Sequence, residues 1–290
     1  MNNGYETALR QCRFLGEAYV QPLYEAFIEA FSDYVISFAL TETQFRNHVN
    51  LNAVDLERTV GCFEQERLVA FSLCGFGDWD ALSTVYDAGT GVIPSHRRRG
   101  LSDAMFEVMV PRFRDEGIKQ FLLEVATSNE AAIRLYEKLD FARTRELALL
   151  QCDTKVKLTN HGFEVREIPE PDWVRLTDFW DARPSWQNSV AAIDRSRPLK
   201  KILGAFIDDS CIGYIIFSSK FGRVAQIGVD RNRRRRGVGT ALVLGMQAEM
   251  NEGYSMQVIN IDKSLGGTVK FFESLGFYER LSQYEMLKTM

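Results

Sequence analysis

The sequence Val-Ile-Pro-Ser-His-Arg-Arg-Arg-Gly-Leu-Ser, from Val92 to Ser102, joins an apolar strand-like segment to a helical one. The N–H groups in the first turn of a helix lack intrahelical acceptors and attract anions. Glycine lets a phosphate approach the backbone closely, and arginine donates paired hydrogen bonds to phosphate oxygens. The segment therefore predicts a turn that binds a pyrophosphate group.

The same pattern occurs a second time in the chain. The run Arg-Arg-Arg-Arg-Gly-Val-Gly occupies residues 233–239, and Gly237 follows Gly100 by 137 positions. Another pair of similar segments, 135–141 and 271–277, follows at nearly the same offset. Upstream, the segments 61–63 and 204–206 open two similar apolar runs. Recurrence of three landmarks in the same order indicates a duplicated domain.

Each copy predicts the same order of elements, an initial helix followed by strands that alternate with further helices. The initial helices are expected at about 19–38 and 170–200. Strands are expected at 59–63, 68–74, 85–93 and 120–126 in the first copy, and at 202–207, 211–217, 224–229 and 255–261 in the second. This alternation predicts an α/β fold with a mixed sheet. The polar segment 153–162 resembles a linker, so the predicted domains are residues 1–155 and 156–290.

Composition argues against several classes of protein. The formal net charge of -4 and the pI of about 5.6 argue against a protein built to hold nucleic acid. The five cysteines form no Cys-x-x-Cys pair, which favours a reducing compartment over a disulfide framework or a structural zinc site. With only three histidines, no metal centre is expected. We see no secretion signal and no membrane-length apolar run, and therefore expect a soluble, cytoplasmic protein.

The most specific motif runs from Leu123 to Phe141 and reads Leu-Glu-Val-Ala-Thr-Ser-Asn-Glu-Ala-Ala-Ile-Arg-Leu-Tyr-Glu-Lys-Leu-Asp-Phe. Together with the two arginine-rich turns, it resembles the GCN5-related N-acetyltransferase (GNAT) family. Two departures are a serine at position 102, where the family has glycine or alanine, and an aspartate at position 140, where glycine is usual. The resemblance implies two tandem GNAT-like domains, each a mixed, mostly antiparallel twisted sheet flanked by helices.

The resemblance also implies the reaction: transfer of an acetyl group from acetyl-CoA to a primary amine by direct attack, without a metal. Tyr136 would protonate the leaving thiolate, Glu124 would act as general base through water, and Asn129 would bind the pantetheine arm. The predicted coenzyme-binding residues of the turns are Val92, Ile93, Arg97, Arg98, Arg99, Gly100, Leu101 and Ser102 in the first copy, and Arg234, Gly237 and Gly239 in the second.

Each of these residues also has a structural interpretation. Asn129 lies within a capping-box sequence, Tyr136 has core-like helical spacing, and Glu124 alternates with apolar residues as a solvated strand residue does. Asp87, on the preceding strand, is a second candidate for the general base.

The second copy lacks the three presumed chemical groups. Phe272, Leu265 and Asn260 stand where the first copy has Tyr136, Asn129 and Glu124. We therefore predict that the N-terminal domain is catalytic and that the C-terminal domain is degenerate but retains its phosphate turn. Catalysis in the C-terminal half is the alternative.

The acceptor amine is left open. Residues 30–34 and a loop expected at 76–80 mix aromatic and acidic side chains, which suits a small cationic amine, a protein N-terminus or a lysine. A non-catalytic coenzyme A sensor is a competing hypothesis, in which Tyr136→Phe changes nothing. A nucleic-acid-associated protein that uses residues 233–236 is a weaker one. A homodimer is compatible with the sequence, although no feature indicates it, and neither a nucleic-acid nor a membrane partner is expected.

Overall fold

The computed structural model describes residues 12–33, 40–158, 162–251, 253 and 255–290. Its first half contains β1 (Cys12–Phe14), α1 (Val20–Ala30), α2 (Glu42–Leu51), β2 (Val60–Glu64), β3 (Arg67–Trp79), β4 (Leu82–Val92), α3 (Leu101–Asp115), β5 (Gln120–Ala126), α4 (Glu130–Lys138) and β6 (Ala142–Cys152). The second half contains β7 (Glu164–Glu167), α5 (Trp173–Thr177), α6 (Val190–Arg195), β8 (Lys201–Ile207), β9 (Ser210–Ser218), β10 (Arg223–Val229), α7 (Val238–Glu249), β11 (Met256–Asp262), α8 (Gly266–Ser274) and β12 (Tyr278–Thr289).

The chain forms two compact units. The first comprises the described residues up to Val125 together with Glu130–Arg143 and Met286–Met290. The second comprises Ala126–Asn129 and Thr144–Glu285. Strand order is β1-β2-β3-β4-β5 in the first unit and β7-β8-β9-β10-β11-β6 in the second.

Both units build their sheets in the same way. Successive strands pair antiparallel from β1 to β4 and from β7 to β10. The next pair is parallel in each unit, β4 with β5 and β10 with β11. The predicted mixed, mostly antiparallel sheet flanked by helices is confirmed.

Helices cover the sheet of the first unit and close its core. Helix α1 packs on β3 and β4, whereas α3 packs on β1 and β2 as well as on β3 and β4. Phe27 from α1 stacks on Phe71, and Phe106 from α3 contacts Phe121. All four rings are 1% exposed or less, so they exclude water from both sides of β3–β5.

The compact units do not divide the chain at the boundary predicted after residue 155. Strand β6 was expected to close the first domain, but it pairs antiparallel with β11 and is counted in the second unit. The C-terminal residues Met286–Met290 are counted in the first unit, where the Met290 N–H donates to the Lys119 carbonyl at 2.9 Å. Independent folding of residues 1–155 and 156–290 stays a prediction.

The predicted initial helices are shorter in the structure. Helix α1 ends at Ala30, and residues 34–38 of the first prediction lie outside the described residues. The second prediction, about 170–200, is wrong as one helix, because α5 and α6 are separate short helices. Pro184 lies between them and Pro198 follows α6, and proline interrupts helical hydrogen bonding.

The argument from cysteine spacing, which favoured a reducing compartment over a disulfide framework, did not foresee one disulfide. Cys12 and Cys62 lie opposite each other in the antiparallel pair of β1 and β2 and form a disulfide. Sequence spacing gave no sign of this pair, because 50 residues separate the two cysteines and only the strand register brings them together. Cys74, Cys152 and Cys211 are buried free thiols.

Candidate active site

Strands β4 and β5 separate part-way along their length. They pair in parallel from Thr84–Gln120 to Tyr86–Leu122. Beyond that pair β4 continues to Val92 and β5 to Ala126, with no further register pair between these two strands. On its other edge β4 stays paired with β3 as far as Val92. The edge of β4 that faces β5 therefore offers backbone hydrogen-bonding groups to a ligand.

Asp87 is the first residue of β4 after this separation. It precedes a bulge at Ala88, where the β3–β4 register shifts, and it is only 7% exposed. Its Oδ1 accepts the Gly89 N–H at 2.9 Å, and its Oδ2 accepts the Thr90 hydroxyl at 2.8 Å. The bulge therefore directs the Asp87 carboxylate toward two hydrogen-bond donors, the Gly89 N–H and the Thr90 hydroxyl.

Tyr136, on α4, reaches the same carboxylate. Its hydroxyl donates to Asp87 Oδ2 at 3.2 Å. Its ring packs edge-on against Phe106 and Phe141, and the residue is 7% exposed. Tyr136 therefore also packs in the core, as its helical spacing indicated. The structure brings Tyr136 together with Asp87, the second of the two carboxylates that the sequence offered.

Burial shifts the ionisation of Asp87. It raises the pKa of this carboxyl to about 6, against the opposing effect of hydrogen bonds from Thr90, Gly89 and Tyr136. A carboxyl with a pKa near neutrality can both accept and release a proton under ordinary conditions.

The predicted phosphate turn follows β4 and opens α3. Gly100 caps the helix with φ of 76°, and Arg98 is also left-handed, with φ of 60°. The first helical hydrogen bond runs from the Ala104 N–H to the Gly100 carbonyl, so the N–H groups of the three intervening residues have no intrahelical acceptor. Left-handed residues within a turn also make neighbouring N–H groups converge, which suits an anion.

The three arginines of this turn have different surroundings. Arg97 donates two hydrogen bonds to Asp33, at 2.6 and 2.7 Å, and two more to the carbonyls of Ala30 and Val92. Arg99 donates to Glu64 at 3.3 Å. Arg98 is exposed and, within the described part of the chain, has no acidic partner. The Arg97 side chain therefore fastens the turn to the end of α1.

The turn of the second unit has the same geometry. Gly237 caps α7 with φ of 90°, and Arg235 is left-handed with φ of 59°. Arg234 donates to Asp181 at 2.9 Å and to the Val229 carbonyl at 3.0 Å, as Arg97 does to its counterparts. A Cβ at Gly239 would lie 3.0 Å from the Phe271 ring, so close packing of α7 on α8 favours glycine there.

The comparison with known sequences identifies the family. Residues 20–141 and 163–277 both match the profile of the acetyltransferase (GNAT) family. The chain belongs to the GNAT family. Within GNAT, it is 35% identical over 92 residues to the [ribosomal protein bS18]-alanine N-acetyltransferases of Escherichia coli K12 and Shigella flexneri. That stretch covers 29% of this chain and 62% of the length of those relatives.

Solved GNAT structures share the fold over the whole chain. A GCN5-related N-acetyltransferase from Sphaerobacter thermophilus superposes with a TM-score of 0.71 at 15% identity, over 96% of this chain and 95% of that one. A tandem GNAT protein from the clavulanic acid biosynthesis pathway gives a TM-score of 0.71 at 14% identity, over 96% of this chain and 98% of that one. At these identities the likeness concerns the fold.

The remaining predicted residues of the first copy lie along the separated strands. Glu124 is the partly exposed residue of the otherwise buried β5. Asn129 lies just before α4, and its N–H donates to the Ala126 carbonyl. The Ile93 N–H donates to the Val69 carbonyl, so the alternation of strand hydrogen bonds directs the Val92 N–H toward the opposite edge of β4.

In the second GNAT unit the corresponding strands also separate, but a turn of the same unit bonds to both. Strands β10 and β11 pair only from Arg223–Gln257 to Val224–Val258. Gln226 on β10 donates to the Asn188 carbonyl at 2.5 Å, and the Asn188 side-chain amide donates to the Ile259 carbonyl on β11 at 2.9 Å. The turn Trp186–Asn188 thus takes up hydrogen-bonding capacity on both strands.

One of the two predicted acceptor segments is wrong as a loop. Residues 76–80 complete β3 and turn into β4, where Trp79 pairs with Leu82 at the end remote from the phosphate turn. The Phe76 ring lies under Arg58, and Trp79 is 6% exposed, so neither aromatic ring is available for an acceptor. Within residues 30–34, Asp33 binds Arg97, whereas Tyr34 lies outside the described residues.

Helix α2 and its His48 were missed in the sequence. The signal was present, because Thr41 and Gln44 form a capping box at the start of α2. His48 Nε2 lies 2.7 Å from the Ala88 carbonyl, at the bulge beside Asp87.

Among the described residues, no helix is long and apolar enough to cross a membrane.

Proposed function

We propose that this protein is an acetyl-CoA-dependent N-acetyltransferase and that the first unit is catalytic. The observation that supports this most directly is the order of features along β4. The Asp87–Tyr136 pair lies where β4 leaves β5, and the anion-binding turn at Gly100 follows the end of β4. A thioester on a long arm, attached to a pyrophosphate, matches this sequence of groups.

In this proposal acetyl-CoA is a substrate held mainly by backbone. The pyrophosphate would accept hydrogen bonds from N–H groups of Leu101 and Ser102, with Arg98 supplying charge. The pantetheine arm would add to the open edge of β4 as an extra strand does. The Val92 N–H, on that edge, is the group we assign to the thioester carbonyl oxygen, whose negative charge grows during attack.

Asp87 and Tyr136 would together move one proton. The amine nitrogen attacks the thioester carbon, and collapse of the tetrahedral intermediate breaks the carbon–sulfur bond. We assign the proton lost by nitrogen to Asp87 Oδ2. Tyr136 gives its proton to the departing sulfur and regains one from Asp87 across their hydrogen bond. Products are an amide and coenzyme A thiol, and both side chains return to their starting states.

Glu124 has a separate role in this scheme. An amine acceptor is mostly an ammonium ion at neutral pH and must lose a first proton before it can attack. Glu124 is the partly exposed residue on the separated part of β5, and we assign this first proton to its carboxylate through a water molecule. A Glu124→Gln variant should then raise the apparent pH optimum, because more acceptor is already deprotonated at higher pH.

The second unit is proposed to lack transfer activity. Phe272, the counterpart of Tyr136, is fully buried between Phe271 and Phe277 and has no proton to donate. The Asn188 side chain also donates to the Ile259 carbonyl on β11, which takes up one backbone group of the separated strands.

The acceptor class follows from chemistry and from the relatives. The bacterial relatives acetylate the alanine of a ribosomal protein, according to their names. We therefore propose a primary amine, with a peptide that begins with alanine as the first acceptor to test and a small polyamine as the second. The cytoplasmic location remains a prediction from the sequence.

Calorimetric titration with acetyl-CoA tests the coenzyme site. Gly100→Glu places a carboxylate in the first turn and should abolish binding, whereas Gly237→Glu should leave a first-unit site intact. Gly117→Glu is the matched control, because Gly117 is also left-handed, with φ of 81°, and has open space around it. Loss of binding only in Gly237→Glu would move the active half to the second unit.

Thiol release with an alanine-led peptide or spermidine tests the chemistry. Tyr136→Phe should lower kcat roughly 100-fold, typical of losing a general acid, while acetyl-CoA affinity stays within about twofold. Unchanged turnover in Tyr136→Phe would reject the proposed role of Tyr136. Coenzyme binding without transfer to any amine would favour the sensor hypothesis.

A further inference from the structure

We propose that His48 is a positioning residue that orients and polarises Asp87 through a single peptide group. This inference rests on the proposed function of the Asp87–Tyr136 pair, because only that function gives Asp87 a chemical task. His48 lies on α2, which no part of the proposed chemistry otherwise uses.

The peptide group between Ala88 and Gly89 joins the two side chains. Its carbonyl oxygen lies 2.7 Å from His48 Nε2, and its N–H donates to Asp87 Oδ1 at 2.9 Å. A hydrogen bond accepted by a carbonyl polarises the whole amide and strengthens the bond that its N–H donates. His48 therefore supports the ionised form of Asp87 without touching it.

The partners of His48 fix its ring in one neutral form. The Ala88 carbonyl can only accept, so the hydrogen must be on Nε2. Nδ1 lies 3.2 Å from the Asn52 side-chain amide nitrogen, which can only donate, so Nδ1 carries no hydrogen. Burial lowers the pKa of His48, which keeps the imidazole neutral. A neutral ring with this tautomer is a permanent donor to the peptide.

Helix α2 is fastened to the same bulge. The Asp55 N–H donates to the Cys74 carbonyl at 2.9 Å, and the Phe76 N–H donates to the Ala53 carbonyl at 3.0 Å. Cys74 is the residue that faces Asp87 across the β3–β4 pair. The segment that follows His48 therefore holds the helix in register with Asp87.

The bulge itself requires an unusual backbone. Gly89 has φ of 153°, a conformation that residues with a side chain rarely adopt. A Cβ there would lie 3.4 Å from Phe27, which also packs against the His48 ring. The peptide before Gly89 is thus free to present its carbonyl to α2 and its N–H to Asp87.

Among the described residues, three titratable groups lie around Asp87. Tyr136 approaches from α4, the Cys74 thiol lies on β3, and His48 acts through the peptide from α2. Burial and the Asp87 charge raise the pKa of the Cys74 thiol, so Cys74 stays neutral. Asp87 therefore depends on neutral hydrogen-bond donors to hold its charge.

Titration of the Asp87 carboxyl carbon by NMR, in protein labelled with ¹³C-aspartate, tests this inference without an acceptor substrate. The Asp87 signal is assigned by its loss in Asp87→Asn. His48→Leu removes the donor, and His48→Gln keeps an amide donor at a similar position. Phe27→Leu is the control for packing, because Phe27 contacts His48 but donates no hydrogen bond.

We expect the pKa of Asp87 to rise in His48→Leu, to return toward the wild-type value in His48→Gln, and to stay unchanged in Phe27→Leu. With an active acceptor, kcat of His48→Leu should fall roughly 10- to 100-fold, as for a misplaced catalytic group. An unchanged Asp87 titration in His48→Leu, or an equal change in Phe27→Leu, would overturn the inference. Failure of the wild type to bind acetyl-CoA would instead count against the proposed function alone.

Discussion

At the scale of single residues, the structure gives different surroundings to the two carboxylates that the sequence offered as general base. Asp87 is buried at a strand bulge and hydrogen-bonded to Tyr136, whereas Glu124 stays partly exposed on β5. The sequence offered Glu124 as the general base and Asp87 as a second candidate. It could not show that a one-residue bulge at Ala88 would turn the Asp87 carboxylate toward a helix that begins more than forty residues later.

The raised pKa of Asp87 predicts a pH-dependent stability. Its pKa is 3.8 without burial and about 6 in the fold, so the folded state binds the proton more tightly. Stability from this group is therefore present at low pH and is lost as pH rises toward and through about 6. Asp87→Asn removes this dependence, so its stability relative to wild type should improve by about 2 kcal/mol between about pH 4.5 and about pH 7.5.

Chemical denaturation of both proteins at the two pH values measures that difference. Thr90→Val serves as a control, because it removes a hydrogen bond to Asp87 but keeps the titrating carboxyl. A constant difference between wild type and Asp87→Asn across this range would mean that Asp87 ionises as an exposed carboxyl does.

At the scale of elements, the two helix-capping turns share their backbone but not their packing. In each turn an arginine and the glycine two residues after it have left-handed backbone conformations: Arg98 and Gly100 in the first unit, Arg235 and Gly237 in the second. Ser102 in α3 and Gly239 in α7 differ because Phe271 crowds Gly239 in the second unit. The serine that departs from the family pattern in the first copy therefore occupies a position where, in the second copy, a side chain would have to displace the Phe271 ring.

This difference predicts unequal losses of stability when alanine is placed at the two matching positions. Gly239→Ala forces its Cβ to within 3.0 Å of the Phe271 ring and should destabilise the fold, by about 1–3 kcal/mol as overpacking does. Ser102→Ala, at the matching position of α3, should change stability by less than about 0.5 kcal/mol. Thermal unfolding of the two variants gives the comparison, and equal effects would argue against crowding at Phe271.

At the scale of the whole molecule, residues Met286–Met290 belong to the first unit, together with the described residues up to Val125. Met286 is fully buried, and Lys288 donates to the Leu139 carbonyl at 2.8 Å. These residues are counted in the first unit, as are α3 and α4. The proposed catalytic unit is therefore incomplete without residues that follow the second unit in sequence.

Truncation should expose this dependence. Deletion of residues 286–290 removes a buried methionine and two backbone-directed hydrogen bonds, so we expect a loss of about 3–5 kcal/mol. Met286→Ala alone should lose about 2–5 kcal/mol, the usual range for a buried methionine. Lys157→Ala, an exposed residue, is the control. A fragment of residues 1–155 that folds as stably as the full chain would contradict this expectation.

The sequence alone determined the duplication, the family and four strands of each copy, because arginine- and glycine-containing turns and apolar runs are local features of the chain. It also placed Tyr136 on a helix and each arginine-rich turn directly before a helix, as the structure has them. Only the tertiary structure decided which carboxylate meets Tyr136, that Cys12 pairs with Cys62, and that α2 brings His48 to Ala88. Those contacts join residues far apart in the chain. Strand register and helix packing select which residues meet, and neither can be read from the local sequence.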